Sequence, residues 1–344
     1  MSKFKRINLS LKQQSLDKLL REYLSGHAPT RSSVASSCGL CTVTSGKVAD
    51  ALISSGFMDG RIFSKNDERP ATHLLFNDSS SVLIIDLASS IYKMCVVNPS
   101  GKTLLTLSHV YDSEVPFEDN LNIFISRNGL KLKRSKTPFA AIAVLYADDY
   151  RRERLESNSR VCSLPSISIK DYVDEIIYTI LGRKVTSHLT LSSSVRYAMD
   201  FKVIEMGLYN GGISSVFIGS RLSSFHVHKN GSVMLCSPEN ILSKEELSYI
   251  DNIRLISKEK QDALFVRLAD FMDAAFSPEV VLLSSDIIPP DSETAEIICR
   301  KFALTNRRAP VIYTRDSSFP LEYLGASRHA LLSVIKVFIN TNNR

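Results

Sequence analysis

Residues Thr30 to Met58, TRSSVASSCGLCTVTSGKVADALISSGFM, constrain the fold more than any other stretch of this chain. Their spacing predicts two short helices joined by a tight turn. The first begins at a Thr30 cap and turns Val34 and Ala35 inward. Gly39 suits the left-handed turn position, where a Cβ is costly. Leu40 then plugs the angle between the helices. The second helix, Thr42–Ser55, has Val48, Leu52 and Ile53 at helical spacing, which leaves Thr44, Ser45 and Lys47 on the outer side. Gly56 ends it. This is the helix-turn-helix layout. A helix that buries one stripe and shows small polar and basic groups on the other can lie in the major groove of double-stranded DNA.

The flanking residues extend the module. Leu16, Leu19, Leu20, Tyr23 and Leu24 follow the i, i+3, i+4 pattern of a supporting helix over residues 13–25, stopped by Gly26 and Pro29. After Gly56, two extended runs, Arg61–Phe63 and Thr72–Phe76, flank a polar tip with Lys65 and Arg69. That pattern predicts a β-wing, whose Lys and Arg side chains meet phosphate or the minor groove. Charge follows the same division. Residues 1–76 hold 11 Lys/Arg against 6 Asp/Glu, whereas the remaining 268 hold 31 against 30. The excess positive charge therefore sits on the segment expected to meet phosphates.

A chain of 344 residues suggests about two or three domains. No run approaches the roughly 18 to 20 apolar residues of a membrane span. The N-terminal MSKFKRINLSLKQQ lacks the apolar core of a signal peptide, so a cytoplasmic protein is expected. Of the six cysteines only Cys38 and Cys41 are close in sequence, as C-G-L-C. No second pair and no His stands at ligand spacing, so both are read as packing residues of the turn rather than as zinc ligands.

Beyond residue 78 the pattern changes to strands and helices. Val82–Leu87 is a nearly continuous apolar run, as in a central strand. Ile91–Val97, a Pro99-Ser100-Gly101-Lys102 turn and Thr103–Leu107 follow, then a strand at Phe139–Leu145, a helix at Ile169–Leu181 and a short strand ending at Leu189–Leu191. The layout then repeats. Strands at Ser215–Gly219, Leu222–His228 and Val233–Leu235 precede a strand at Val280–Leu283, a helix at Thr294–Phe302, a strand at Val311–Tyr313 and a terminal helix at Ala326–Ile339. Two related α/β lobes are implied, of the kind that close on a ligand in a cleft.

A winged helix followed by two such lobes resembles the ROK family of repressors, open reading frames and sugar kinases. GLCTVTSGKVADALISSGFM resembles the repressor pattern GL-x-x-x-T-V-S-x-x-V-x-x-L-x-x-x-G, and Arg69-Pro70-Ala71 resembles the end of the family's wing. The resemblance implies two actin-like, ribonuclease-H-like α/β lobes. It also implies lost chemistry. Where the family's first phosphate loop is G-I-D-x-G-G-T, this chain has Ile84-Ile85-Asp86-Leu87-Ala88-Ser89-Ser90, keeping Asp86 but none of the glycines that let phosphate approach backbone N–H groups. Its second loop keeps Gly219 alone, followed by Arg221. The kinases' catalytic Asp is matched by Ser193, whose hydroxyl cannot serve as that base, and their sugar-binding Asn by Ser192. The V-P-G of the sugar pocket is Val144-Leu145-Tyr146. Glu239 is a retained sugar ligand at best, and the Cys-rich zinc loop is absent. The resemblance therefore implies lobes that neither phosphorylate sugar nor bind the structural zinc.

Other residues have plainer readings. His226 and His228 alternate on a strand without a third ligand nearby in sequence. Asp148 and Asp149 read as a solvated loop entering a charged helix. Gly46, inside the second helix, costs about 1 kcal/mol relative to Ala and is open to two readings, close approach to DNA or drift.

The expectation is a winged helix-turn-helix at 1–78, lobe I at 79–190 completed by 326–344, and lobe II at 191–325. Thr42, Thr44, Ser45 and Lys47 read bases, while Arg31, Arg61, Lys65 and Arg69 hold phosphates. Asp86, Ser192, Ser193 and Glu239 line a ligand site for a sugar-like effector. No catalytic residue, cofactor or metal site is expected. A homodimer or tetramer follows because one winged helix contacts few base pairs. The alternatives are a sugar kinase with displaced residues and Asp86 on magnesium, or a non-DNA interaction module.

Overall fold

The structure is a computed structural model that describes residues 4–24, 29–63, 70–87, 91–110, 112, 114–145, 169–182, 185–189, 212–218, 222–227, 233–236, 241–251, 256–284, 292–304, 311–314 and 321–341. They fall into two compact units.

The first unit opens with β1 (Ile7–Leu9), α1 (Gln13–Tyr23), α2 (Arg31–Cys38) and α3 (Thr42–Ser54). An antiparallel hairpin follows, β2 (Met58–Phe63) with β3 (Ala71–Phe76). In α1, Leu16, Leu19, Leu20 and Tyr23 are fully buried, the stripe that their spacing predicts. Thr30 and Ser33 form a reciprocal cap at the start of α2. The Ser33 backbone N–H donates to Thr30 Oγ1 at 3.1 Å, and the Thr30 N–H donates to Ser33 Oγ at 2.9 Å. Gly39 closes α2 at φ +64°, and the Leu40 N–H reaches back to the Ala35 carbonyl at 2.9 Å.

A five-stranded sheet comes next, in the order β6-β5-β4-β7-β8. Its strands are β4 (Val82–Asp86), β5 (Ile91–Val97), β6 (Thr103–Val110), β7 (Ala141–Leu145) and β8 (Thr186–Leu189). The first three run antiparallel, and β7 and β8 run parallel to β4. Val82 to Ile85 are wholly buried, which places β4 in the middle with both faces covered. Two helices serve this sheet, α4 (Phe117–Ser135) and α5 (Ile169–Leu181). The sequence reading passed over α4, although its Leu121, Phe124, Ile125 and Leu132 enter the core. Gly129 lets α4 approach α5, since a Cβ there would sit 2.6 Å from Ile180 Cδ1.

The terminal helix, numbered α9 (Leu321–Phe338) below the helices of the second unit, returns to the first unit and begins five residues earlier than the sequence suggests. Beyond it β14 (Ile339–Thr341) pairs in parallel with β1, Ile7 facing Ile339. Phe4 stacks on Phe57 with ring centroids 4.1 Å apart, and Phe338 meets both edge-on at 5.8 and 5.7 Å. Lys336 also pairs with Asp17 of α1 at 3.0 Å. Close to the same cluster, Asn77 Nδ2 donates to the Gly56 carbonyl at 2.9 Å, and Asn98 Nδ2 to the Asn77 carbonyl at 3.1 Å. The three-helix module is thereby tied to the sheet that follows it by polar contacts and to the terminal helix by aromatic ones.

The second unit repeats the plan. Its sheet runs β11-β10-β9-β12-β13. The strands are β9 (Ile213–Ile218), β10 (Leu222–Val227), β11 (Val233–Cys236), β12 (Val280–Ser284) and β13 (Val311–Thr314). Antiparallel pairing among the first three and parallel pairing of β12 with β9 and β13 match the first sheet strand for strand. Between β11 and β12 run α6 (Lys244–Asp251) and α7 (Lys258–Phe276), and α8 (Ser292–Leu304) lies between β12 and β13. Leu264, Phe265, Leu268 and Met272 of α7 and Phe302 of α8 fill this core. Among the described residues, no helix is long and apolar enough to cross a membrane.

Candidate nucleic-acid interface

The outer surface of α3 is set by what its inner stripe buries. Val48 and Leu52 are wholly buried, and so is Ser45, three residues before the first and seven before the second. Ser45 Oγ donates to the Arg31 carbonyl at 2.8 Å, and the Tyr23 hydroxyl donates to the Ser45 carbonyl at 3.0 Å. Ser45 is therefore a strut between three helices, which corrects its placement among the base-reading residues. A buried hydroxyl needs partners, and α1 and α2 supply them. Gly46 is also buried; a Cβ there would meet Arg31 Cδ at 3.8 Å. It lies under the Arg31 stem, so close approach to DNA does not account for it.

The exposed face of α3 consists of Thr42, Val43, Lys47, Asp50 and Ser54. Thr44 is half-buried, its Oγ1 lying 2.9 Å from Cys41 Sγ. The sequence reading missed Val43, which is 70% exposed and the apolar member of this face. The signal was present: residues 43, 47, 50 and 54 follow the i, i+4, i+7, i+11 spacing of a helix face opposite Val48 and Leu52. Asp50 was missed as well. It forms an ion pair with Arg31 Nη2, so the guanidinium assigned to phosphate already has a carboxylate partner.

The two cysteines differ. Cys38 is buried against α1, with Sγ 3.7 Å from the Lys18 carbonyl, and burial pushes its thiol up. Cys41 is exposed at the cap of α3, and hydrogen bonds from the Thr44 hydroxyl and backbone hold its thiol below the usual range. The packing reading holds for Cys38 and fails for Cys41.

On the hairpin, Arg61 is exposed and faces His73 across the strand pair, with Ile62 at 73% exposure beside it. Lys65 and Arg69 lie outside the described residues, as do Ser192, Ser193, Glu239, Arg221, Asp148, Asp149 and His228. Asp86 is described: it ends β4 and accepts a hydrogen bond from the Tyr323 hydroxyl of α9 at 2.7 Å. Tyr323 was not anticipated.

No protein-family model matches this chain, and no curated protein matches it. Solved structures do. A ROK-family transcriptional regulator, a homologue of the E. coli MLC protein, superposes with a TM-score of 0.57 at 14% identity, over 95% of this chain and 98% of that one. The fold is that of the ROK family. Two further structures are similar over a smaller share of the chain: an inorganic polyphosphate/ATP-glucomannokinase from Arthrobacter sp. strain KM (TM-score 0.48, 14% identity, 74% of this chain and 99% of that one) and a ROK family protein from Streptococcus pneumoniae TIGR4 in complex with sucrose (0.47, 14%, 74% and 98%).

Proposed function

We propose that this protein is a cytoplasmic DNA-binding transcriptional regulator of the ROK type, with an N-terminal winged helix and a kinase-like region that has lost catalysis. The observation that carries the reading is the exposed face of α3, where Thr42, Val43 and Lys47 stand clear of the stripe that packs α3 on α1 and α2. A helix presented this way beside a hairpin carrying exposed Arg61 has the shape and charge to enter a major groove while the hairpin meets the backbone. The similar regulator supports the reading over nearly the whole chain.

In this reading α3 reads bases, Arg61, Lys65 and Arg69 hold phosphates, and the protein acts as a homodimer or tetramer on two-fold operators. Domain limits at 78, 190 and 325 separate the winged helix from the two lobes, with the terminal helix completing the first. A sugar-like metabolite is the effector, acting on the kinase-like region. The replaced phosphate-loop glycines and Ser193 in place of a catalytic Asp argue against phosphoryl transfer.

The test is retention of fragments from the source genome by the full-length protein at low and moderate salt. Selective retention of a few fragments, lost in Lys47→Ala, is expected. Uniform retention that disappears as salt rises would mean phosphate attraction alone and would overturn the reading.

A further inference from the structure

The recognition face of α3 carries a side chain that can make no hydrogen bond. Val43 is the second residue of the helix and is 70% exposed. Its neighbours on the face are Thr42 and Lys47, both exposed and both able to hydrogen-bond to bases or phosphates. Further along, the carboxylate of Asp50 is paired with Arg31, which offsets the negative charge that would otherwise face the DNA backbone. The first turn of a recognition helix is the part that reaches base edges. In the major groove, the base-edge group that offers an apolar contact is the C5-methyl of thymine.

We propose that Val43 is a specificity-determining residue that packs against the methyl group of a thymine in each half of the operator. The inference rests on the regulator reading and adds a chemical feature of the sequence being read. Valine suits the task. A β-branched side chain in a helix is held almost entirely in one rotamer, so its two methyl groups are fixed before contact. Little side-chain entropy is then lost when the methyl surfaces meet. Thr42 and Lys47 on either side supply polar contacts and keep the apolar contact local.

The experiment uses the full chain and duplexes enriched from a random-sequence pool. Thymines in the enriched duplex are replaced one at a time by uracil, which differs only in lacking the methyl. Wild-type protein is expected to bind about fourfold more weakly when one thymine in a half-site is replaced, the effect of removing one buried methyl. Val43→Ala is expected to bind the parent duplex more weakly and to be indifferent to uracil at that position. Because Val43 is exposed, the variant should melt with the wild type, which a thermal scan checks.

Enrichment of a defined sequence that tolerates uracil at every position would overturn the inference and leave the regulator reading intact. So would a Val43→Ala variant that loses as much as wild type on the same replacement. If no sequence is enriched, the regulator reading fails and the inference falls with it.

Discussion

Ser45 Oγ donates a hydrogen bond to the carbonyl oxygen of Arg31 at 2.8 Å, so the hydroxyl that spacing assigns to the outer side of α3 holds the first turn of α2 instead. The consequence is a sharp contrast between neighbours. Ser45→Ala leaves the part-buried Arg31 carbonyl and the buried Tyr23 hydroxyl with one partner fewer and should cost about 1–3 kcal/mol in urea denaturation. Thr42→Ala, on the exposed face three residues earlier, should change stability by less than about 0.5 kcal/mol. Equal effects from the two would contradict the orientation of α3.

Gly46 gives a prediction of opposite sign. An added Cβ would meet Arg31 Cδ at 3.8 Å, an ordinary contact, and glycine inside a helix is less favourable than alanine. Gly46→Ala should therefore stabilise the protein by about 1 kcal/mol. A lower melting temperature for this variant would show that the position serves something other than helix packing.

The cysteines of the turn predict an order of reaction with pH. The Thr44 hydroxyl and backbone stabilise the Cys41 thiolate, whereas burial disfavours the thiolates of Cys38 and Cys95. As pH rises, Cys41 should form its thiolate first and be alkylated first, below the pH at which an ordinary cysteine reacts. Thr44→Val removes the hydroxyl donor and should move the Cys41 reaction to higher pH. Site-resolved mass spectrometry of iodoacetamide-treated protein reads both outcomes, and earlier labelling of Cys38 would contradict them.

Between α4 and α5, Gly129→Ala places a methyl 2.6 Å from Ile180 Cδ1. Overpacking of this kind should cost about 1–3 kcal/mol. Because the obstacle is the end of one side chain, Ile180→Val in the same protein should recover much of the loss. A double variant no more stable than Gly129→Ala would mean that the backbones, and not the side-chain tip, set the helix separation.

Much of this architecture was legible because caps and apolar stripes act locally. Thr30, Gly39, Val48 and Leu52 specify the paired helices, and the apolar run at Val82–Ile85 marks a strand covered on both faces. What escaped was decided by partners distant in sequence. Ser45 belongs to the inner stripe only because Tyr23 and the Arg31 carbonyl satisfy it. In α4, Asn122, Asn128 and Gly129 are weak helix formers that dilute the signal of Leu121, Phe124 and Ile125. In α7, the buried Gln261, Asp262 and Asp273 interrupt the apolar stripe; Asp262 is held inside by Thr294 Oγ1 at 2.6 Å and Lys258 Nζ at 2.9 Å. β1 and β14 are three residues each and exist as strands only through their pairing with one another. The hydrogen bond from Tyr323 to Asp86 joins residues too far apart for any spacing rule to find.

The measurement that tests the account most directly is the ratio of affinities for a retained genomic fragment and for a shuffled duplex of the same composition, near physiological salt. For the wild-type chain the ratio should be at least about 1,000, as for proteins that read base edges. Lys47→Ala should lower it by weakening the retained fragment more than the shuffled one. A ratio near one for the wild-type protein, with both affinities falling together as salt rises, would contradict sequence reading by α3.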